Sequence, residues 1–386
     1  MELNLPNILV IIAAAQGFLL SVLIVQKHRA VFANRYLALL MFSYTLVLVH
    51  LLLQDTGIYG AHPYIFLISG FPLIALPLHW LYTKHLIGRS QRFTLKELAH
   101  FIPFALYETV LFIFISSSLI DLSQAGTADA SVTPVLLRIF NGMVILQGLI
   151  YLVLSIRSIN RYDLHVKDVA SSVESIRLTW LRNITIAGLA AVSLFVLEDL
   201  LMLNGLNVSN FILSSIGFAM YVYGMGYGGL VKTEVLADPI VEKAMHVVEE
   251  IEQTAAVKYE RSGLTEETAD LLHASLLRLM DEKKFYRNSQ LTLTELSEAL
   301  SVSPHNLSEV INTRQKKNFY DFVNGYRLDE VKKDLEDPVK QHLKIISIAF
   351  DAGFNSKATF NTLFKEQCGQ TPSEYRKHYL KTTTEV

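Results

Sequence analysis

Ile346-Ser-Ile-Ala-Phe-Asp-Ala-Gly-Phe-Asn-Ser-Lys-Ala-Thr-Phe-Asn-Thr-Leu-Phe364 repeats, in outline, Leu293-Thr-Glu-Leu-Ser-Glu-Ala-Leu-Ser-Val-Ser-Pro-His-Asn-Leu-Ser-Glu-Val-Ile311. Ser297 aligns with Ala349 and Val302 with Phe354, both 52 positions apart. Beyond the turn, Leu307 aligns with Phe360 and Ile311 with Phe364, both 53 apart. Each copy reads as a helix, a turn and a second helix, and the later copy has one more residue in its turn.

Local signals place the helix ends. Thr292 and Glu295 have capping-box spacing. Ser303 before Pro304 is an N-cap followed by proline at the first helical position. The helix that follows carries Leu307, Val310 and Ile311 on one face and His305, Ser308, Glu309 and Asn312 on another. In the later copy Gly353 suits a helix end that needs positive φ, and Asn355 or Ser356 caps the next helix. That helix turns Phe360, Leu363 and Phe364 one way and Lys357, Thr359, Asn361, Thr362 and Lys365 the other. Thr371, Pro372 and Glu374 start a last short helix by the same cap, proline and glutamate arrangement.

Residues 291–376 resemble the AraC/XylS-type transcription regulators. The most specific part is Ile348-Ala-Phe-Asp-Ala-Gly-Phe-Asn-Ser-Lys-Ala-Thr-Phe-Asn-Thr-Leu-Phe-Lys365, with Gly369-Gln-Thr-Pro-Ser-Glu-Tyr-Arg376 after it. The resemblance implies seven helices, one of them joining the two units within 318–335. It also implies that the helices starting at Ser303 and Ser356 enter successive major-groove segments of double-stranded promoter DNA, about one turn or ~34 Å apart. By the motif match, His305, Ser308, Glu309 and Asn312 in the first unit and Lys357, Ala358, Thr359, Asn361 and Thr362 in the second face the groove. Asparagine pairs with adenine, lysine reaches guanine, and threonine or alanine touches the thymine methyl. Arg314, Lys316, Lys317 and Lys365 are the expected phosphate contacts. A solvated helix face is the plainer reading for any single one of these residues.

Bulk charge does not make this segment a DNA binder. From Arg287 onward there are 14 Lys and Arg against 13 Asp and Glu, whereas a domain held by net charge is basic. Affinity then rests on local clusters such as 314–317, or on a homodimer.

The rest of the chain is of another kind. Over 386 residues the hydrophobic share is 51% and mean hydropathy is +0.33, too apolar for a soluble chain of this length. Seven apolar runs have spanning length: 7–26, 36–53, 64–82, 98–119, 135–156, 180–203 and 211–231. No positive charge precedes the first, so it does not read as a cleaved signal. Three alternate loops hold Lys27, Arg29 and Arg35; Lys84, Arg89, Arg92 and Lys96; and Arg157, Arg161, Lys167, Arg177 and Arg182. The other three loops hold no Lys or Arg. Twelve against none puts the N-terminus outside and the C-terminus in the cytoplasm, the side where DNA lies. The expected site is the bacterial inner membrane, in contact with lipid.

Ionisable residues within spans are costly and carry a functional prior. Glu108 falls mid-span in the fourth run; Arg138, Glu198 and Asp199 fall at similar depth toward the outside. They form either an outward-facing polar pocket for a small ligand or buried ion pairs that fix packing. His50 and His79 read as interfacial. The glycine-rich end of the seventh run, Tyr221-Val-Tyr-Gly-Met-Gly-Tyr-Gly-Gly229, reads as close helix packing or as a hinge.

Between the two parts, Asp238 and Pro239 make a helix start. Val241, Ala244, Val248, Ile251 and Ala255 form a two-heptad seam, either a dimer contact or packing within one chain. After Gly263, a helix carrying Leu272, Leu276, Leu279 and Met280 packs on the C-terminal domain. The single cysteine, Cys368, excludes a disulfide framework and a cysteine metal site. No catalytic fingerprint is present, and no metal or cofactor is expected.

The expectation is therefore an all-α, non-enzymatic transcription regulator: a seven-transmembrane anchor or sensor domain (1–231), a helical linker (232–290) and an AraC-type DNA-binding domain (291–380). Its signal is a small ligand or a membrane protein partner. The rival readings are a pure anchor governed by membrane partners, and a transporter or membrane enzyme with a DNA-binding appendage.

Overall fold

The computed structural model describes residues 5–27, 31–53, 58–88, 92–124, 132–173, 178–203, 212–236 and 264–384. These residues are helical, and no strand occurs among them beyond one isolated antiparallel bridge between Ala170 and Thr292. By contacts the chain divides into two units, Met1–Tyr162 with Leu178–Glu234, and Asp163–Arg177 with Val235–Val386. The assignment of Asp163–Arg177 to the second unit is absent from the sequence reading.

The first unit holds α1 (Leu5–Lys27), α2 (Ala33–Leu53), α3 (Pro72–Gly88), α4 (Ile102–Gln124), most of α5 (Val132–His165), α6 (Thr179–Leu203) and α7 (Ile212–Leu236). Turns of 3-10 helix, Pro63–Gly70 and Leu95–Phe101, lead into α3 and α4. Six helices are long and apolar enough to cross a membrane among the described residues. The large apolar side chains of Ile12, Leu19, Leu106, Ile113, Leu146 and Met220 are uncovered, as a face meant for lipid requires. The seventh run forms α7, whose serines, tyrosines and glycines leave it outside those six. Its glycines serve packing: a Cβ at Gly228 would lie 2.5 Å from the Trp180 ring, and Gly229 lies against Leu37.

His79 is not interfacial. It is fully buried, with Nε2 3.1 Å from Thr185 Oγ1 and Nδ1 2.6 Å from the Tyr221 hydroxyl. A second polar cluster surrounds Glu97, which accepts from Tyr36 (2.7 Å), His85 (2.8 Å) and Lys84 (3.0 Å). Buried polar groups of this kind hold only when their partners are in place.

The second unit contains α8 (Glu266–Lys283), α9 (Leu293–Ala299), α10 (Pro304–Val310, continued by a π turn Ile311–Gln315), α11 (Phe319–Glu336), α12 (Ile345–Asp351), α13 (Lys357–Cys368) and α14 (Pro372–Thr384). A short 3-10 turn, Pro338–Lys340, lies between α11 and α12. The expected caps form. Thr292 Oγ1 accepts from Glu295 N at 3.2 Å while Glu295 returns the bond to Thr292 N at 2.9 Å. Ser303 and Ser356 cap α10 and α13, and Thr371 with Glu374 caps α14. Thr292→Ala removes one cap and is expected to lower the domain's melting temperature, at a cost of about 1 kcal/mol.

The internal repeat is physical. Val302 N–H donates to Ser297 O at 3.0 Å, and Phe354 N–H to Ala349 O at 3.0 Å, the same helix-ending bond in each copy. Leu307, Ile311, Phe360 and Phe364 are all buried. Two small cores result, joined by α11: Phe319, Phe322 and Val323 enter the first with Leu276, Leu279 and Met280 of α8, while Leu328, Val331 and Leu335 enter the second. The expected packing of α8 on the domain is thus observed. The helix start expected at Asp238 and Pro239 and the seam from Val241 to Ala255 lie in 237–263, outside the described residues.

The left-handed residue that ends each first helix differs. Gly353 has φ +101, and Ser301, its equivalent, has φ +57. A serine is strained there, so Ser301→Gly is expected to stabilise the domain by about 1 kcal/mol, seen as a raised melting temperature.

Glu330 on α11 ties the two halves to the turn before α9. It accepts from Lys284 Nζ at 3.0 Å and Arg287 Nε at 3.1 Å. Burial alone would raise its pKa, but hydrogen bonds from Arg287, Lys284 and Tyr286 outweigh that and hold it at about 2, below the usual 4.5. A depressed carboxyl pKa adds stability above the unfolded value and loses it as pH falls. Lys284 and Arg287 reach solvent, which screens the effect. Acid unfolding is therefore expected to lose about 2 kcal/mol between pH 4.5 and pH 2, and Glu330→Gln should flatten that window.

Segment 163–173 joins the same domain. Ser171 N–H donates to Leu291 O (3.1 Å) and Leu293 N–H to Val169 O (2.9 Å), the two bonds of the Ala170–Thr292 bridge. Val169 belongs to the first core. Arg327, fully buried on α11, gives Nε to Tyr286 O (2.7 Å), Nη1 to Asn324 Oδ1 (3.0 Å) and Ser171 O (3.2 Å), and Nη2 to Asn288 O (2.7 Å) and Ser171 Oγ (3.0 Å). Asn324 Nδ2 donates to Ser171 O at 3.1 Å as well.

Candidate nucleic-acid interface

The two recognition helices bury one face and offer the other. On α13, Phe360 and Phe364 are buried while Lys357, Ala358, Asn361, Thr362 and Lys365 are exposed. Thr359 is half-buried, with its hydroxyl 3.2 Å from the Ser356 cap. This surface holds two lysines, an amide, a hydroxyl and a methyl, a set able to meet phosphate and base edges.

The α10 surface is different in charge. His305 Nδ1 lies 3.8 Å from Glu309 Oε2, one helical turn on. Neither atom has a hydrogen-bond partner among the described residues. Ser308 is half-buried and accepts from Asn312 Nδ2 at 3.4 Å. Arg314 is engaged within the domain: it pairs with Glu266 and, at 2.9 Å, with Asp270 of α8. Lys316 and Lys317 are exposed just past the π turn, with Lys316 in the left-handed region at φ +53. Of the cluster 314–317, the two lysines are thus the open cations, whereas Arg314 fixes α8.

The Tyr375-Arg376 ending is structural. Tyr375 donates to Glu336 Oε1 at 2.6 Å, and Arg376 Nη1 donates to Leu343 O at 2.9 Å. These bonds seat α14 on α11 and on the turn before α12.

Among the described residues, Glu108, Arg138 and Glu198 are not brought together around one cavity. Glu198 is buried and accepts from Ser214 N at 3.2 Å, at the start of α7, where a carboxylate complements the helix dipole. Arg138 is exposed. Glu108 is half-buried against Gly70, and its Oε1 has no hydrogen-bond partner among the described residues. The Asp199 side chain lies outside the described residues. A cavity of about 340 Å³ does occur in the bundle, but other residues line it, among them Tyr44, His50, Phe66, Asn141, Phe195 and Phe218. Its wall residue Tyr44 packs edge-on against Tyr221 at 5.2 Å, and Tyr221 bonds His79.

Two helix-turn-helix units on one connecting helix define a DNA-binding class of domain. Segment 296–378 matches the family described as "Helix-turn-helix domain". An uncharacterized HTH-type transcriptional regulator, YijO, of Escherichia coli (strain K12) is 31% identical over 97 residues, 25% of this chain and 33% of that protein. An uncharacterized HTH-type transcriptional regulator of Staphylococcus aureus (strain COL) is 32% identical over 99 residues, 26% of this chain and 13% of that protein. The chain thus spans a third or less of the length of these relatives. No solved structure matches. The C-terminal domain is an AraC-type helix-turn-helix domain, and the N-terminal part carries six apolar helices that fit a membrane domain.

Proposed function

We propose that the protein is a membrane-bound transcription regulator of the bacterial inner membrane, whose cytoplasmic domain reads promoter DNA through α10 and α13 and whose bundle senses a signal. The observation that carries the DNA reading is the pair of serine-capped helices with buried apolar faces and open polar ones. α13 supplies the stronger contact, because Lys357 and Lys365 are open while the α10 surface carries the Glu309 carboxylate beside His305. Lys316, Lys317 and Lys365 hold phosphates.

The test is binding of genomic fragments by the full-length protein in nanodiscs across a salt series. Asn361→Ala is expected to weaken binding to the preferred sequence about tenfold or more and to relax its specificity. Lys365→Ala is expected to weaken all sequences alike and reduce the salt slope by about one. Binding that is indifferent to Asn361→Ala sinks the assignment of α13 as a reader.

The cavity favours the sensor reading over the pure anchor. It is mostly apolar, with a few polar groups, the usual make-up of a small-molecule site. Its wall connects through Tyr44 and Tyr221 to the His79–Thr185 pair, a buried chain across α2, α7, α3 and α6 through which a signal reaches four helices. A ligand acts only by binding two arrangements of the bundle unequally. Filling the cavity with Val144→Trp is expected to leave DNA binding intact and to freeze the pattern of regulated transcripts across growth conditions. An unchanged pattern favours the anchor.

A further inference from the structure

We propose that the loop between the fifth and sixth apolar helices is a second tether of the DNA-binding domain, and that segment 166–173 completes that domain's fold. The idea rests on the tethered-regulator reading for its meaning, though its test does not involve DNA. The domain carries a groove for a short peptide, which enters as a 3-10 turn at Val166–Asp168 and makes one strand-like bridge at Ala170. One wall is the Leu291–Leu293 backbone, which gives a carbonyl and an N–H to the segment as a strand partner does. The floor is Asn324 and Arg327, both aimed at the Ser171 carbonyl. Val166, Val169, Ala170, Ser171 and Val173 are all buried.

The donor accounting argues that the segment belongs there. Arg327 is a cation in an apolar interior with neutral acceptors, and Ser171 supplies two of them. Without the segment Arg327 Nη1, Arg327 Nη2 and Asn324 Nδ2 each keep one acceptor, Asn324 Oδ1, Asn288 O and Tyr320 O, and each lose the one that Ser171 supplies, leaving buried donors half satisfied. Two further contacts extend the seat. Lys167 Nζ lies 5.5 Å from the centre of the Tyr320 ring. Ser172 Oγ lies 2.9 Å from Asn355 Nδ2, beside the Ser356 cap of α13. A shift of the loop therefore reaches the second recognition helix directly, without passing through residues 237–263.

The experiment cuts the other connection. A sequence-specific protease site is placed within 237–263 of the full-length protein, and membranes are digested, washed in high salt and sedimented. The fragment beginning after the cut is expected in the pellet, although no peptide bond links it to the membrane part. Ser171→Pro, which removes the N–H given to Leu291, is expected to move it to the supernatant. Because that variant also alters the loop backbone, a second arm uses Ser172→Cys with Asn355→Cys in a Cys368→Ser background. Mild oxidation should join the two fragments on a non-reducing gel. Release of the wild-type fragment, retention that Ser171→Pro does not change, or failure of the cysteine pair to join would each overturn the proposal.

Discussion

Arg327→Met is expected to destabilise the C-terminal domain by about 3–5 kcal/mol. The methionine fills a similar volume, so the loss comes from hydrogen bonds and not from a cavity. Five bonds disappear: Tyr286 O loses the donor it has from Arg327, while Asn288 O keeps Leu291 N–H and Ser171 O keeps Asn324 Nδ2. Arg327 also sits 5.9 Å from the centre of the Phe354 ring, so the damage reaches both cores. Hydrogen exchange in the full-length protein is the direct measurement. Amides of α9 and α11 should exchange about a hundredfold faster or more, while those of α2 and α3 should not change. Arg327→Lys rescues little, because one ammonium cannot reproduce a planar guanidinium fork. An exchange pattern equal to wild type would show that the buried guanidinium is dispensable.

Gly353→Ala is expected to cost about 3–4 kcal/mol. Its φ of +101 is strained for any residue with a side chain. Space is lacking too: a Cβ would lie 2.5 Å from Tyr286 O, 2.8 Å from Arg287 Cα and 2.9 Å from Arg287 O. These are backbone atoms, so no side chain can swing aside. Tyr286 O is also the acceptor of Arg327 Nε. The two substitutions therefore injure one junction, and the double variant should lose less than the sum of the single ones. Additive losses would mean that the Gly353 turn and the Arg327 network are independent.

Much of this domain was legible in the sequence, because its signals are local. The Thr292–Glu295 box, the Ser303-Pro304 start and Gly353 state their geometry within a few residues. The buried pairs Leu307 with Phe360 and Ile311 with Phe364 follow from a repeat. What was missed depends on distant partners. Arg327 lies on the same helical stripe as Val323 and Val331, and a charged residue on an apolar stripe is a signal of buried hydrogen bonding. Segment 163–173 was weighed only for its positive charge, although Val166, Val169 and Val173 recur through it. His79 was read from its place in an apolar run, which gives depth but not the partners Thr185 and Tyr221. Depth alone groups Arg138, Glu198 and Asp199 in the sequence, and depth carries no information about rotation around each helix; among the described side chains, Glu108, Arg138 and Glu198 are not residues that line the cavity.

The Ala170–Thr292 bridge also bears on biosynthesis. Residue 170 leaves the ribosome long before residue 292, so on the proposed membrane-bound reading the docking peptide is already held at the bilayer when the helix-turn-helix units emerge. The C-terminal domain then completes itself against a template whose side of the bilayer was decided earlier. A chain in which α6 or α7 failed to cross would leave that peptide and the C-terminal domain on opposite faces and cost Arg327 the two acceptors that Ser171 supplies. Correct insertion thus becomes a condition for a finished DNA reader, a form of quality control that needs no separate chaperone.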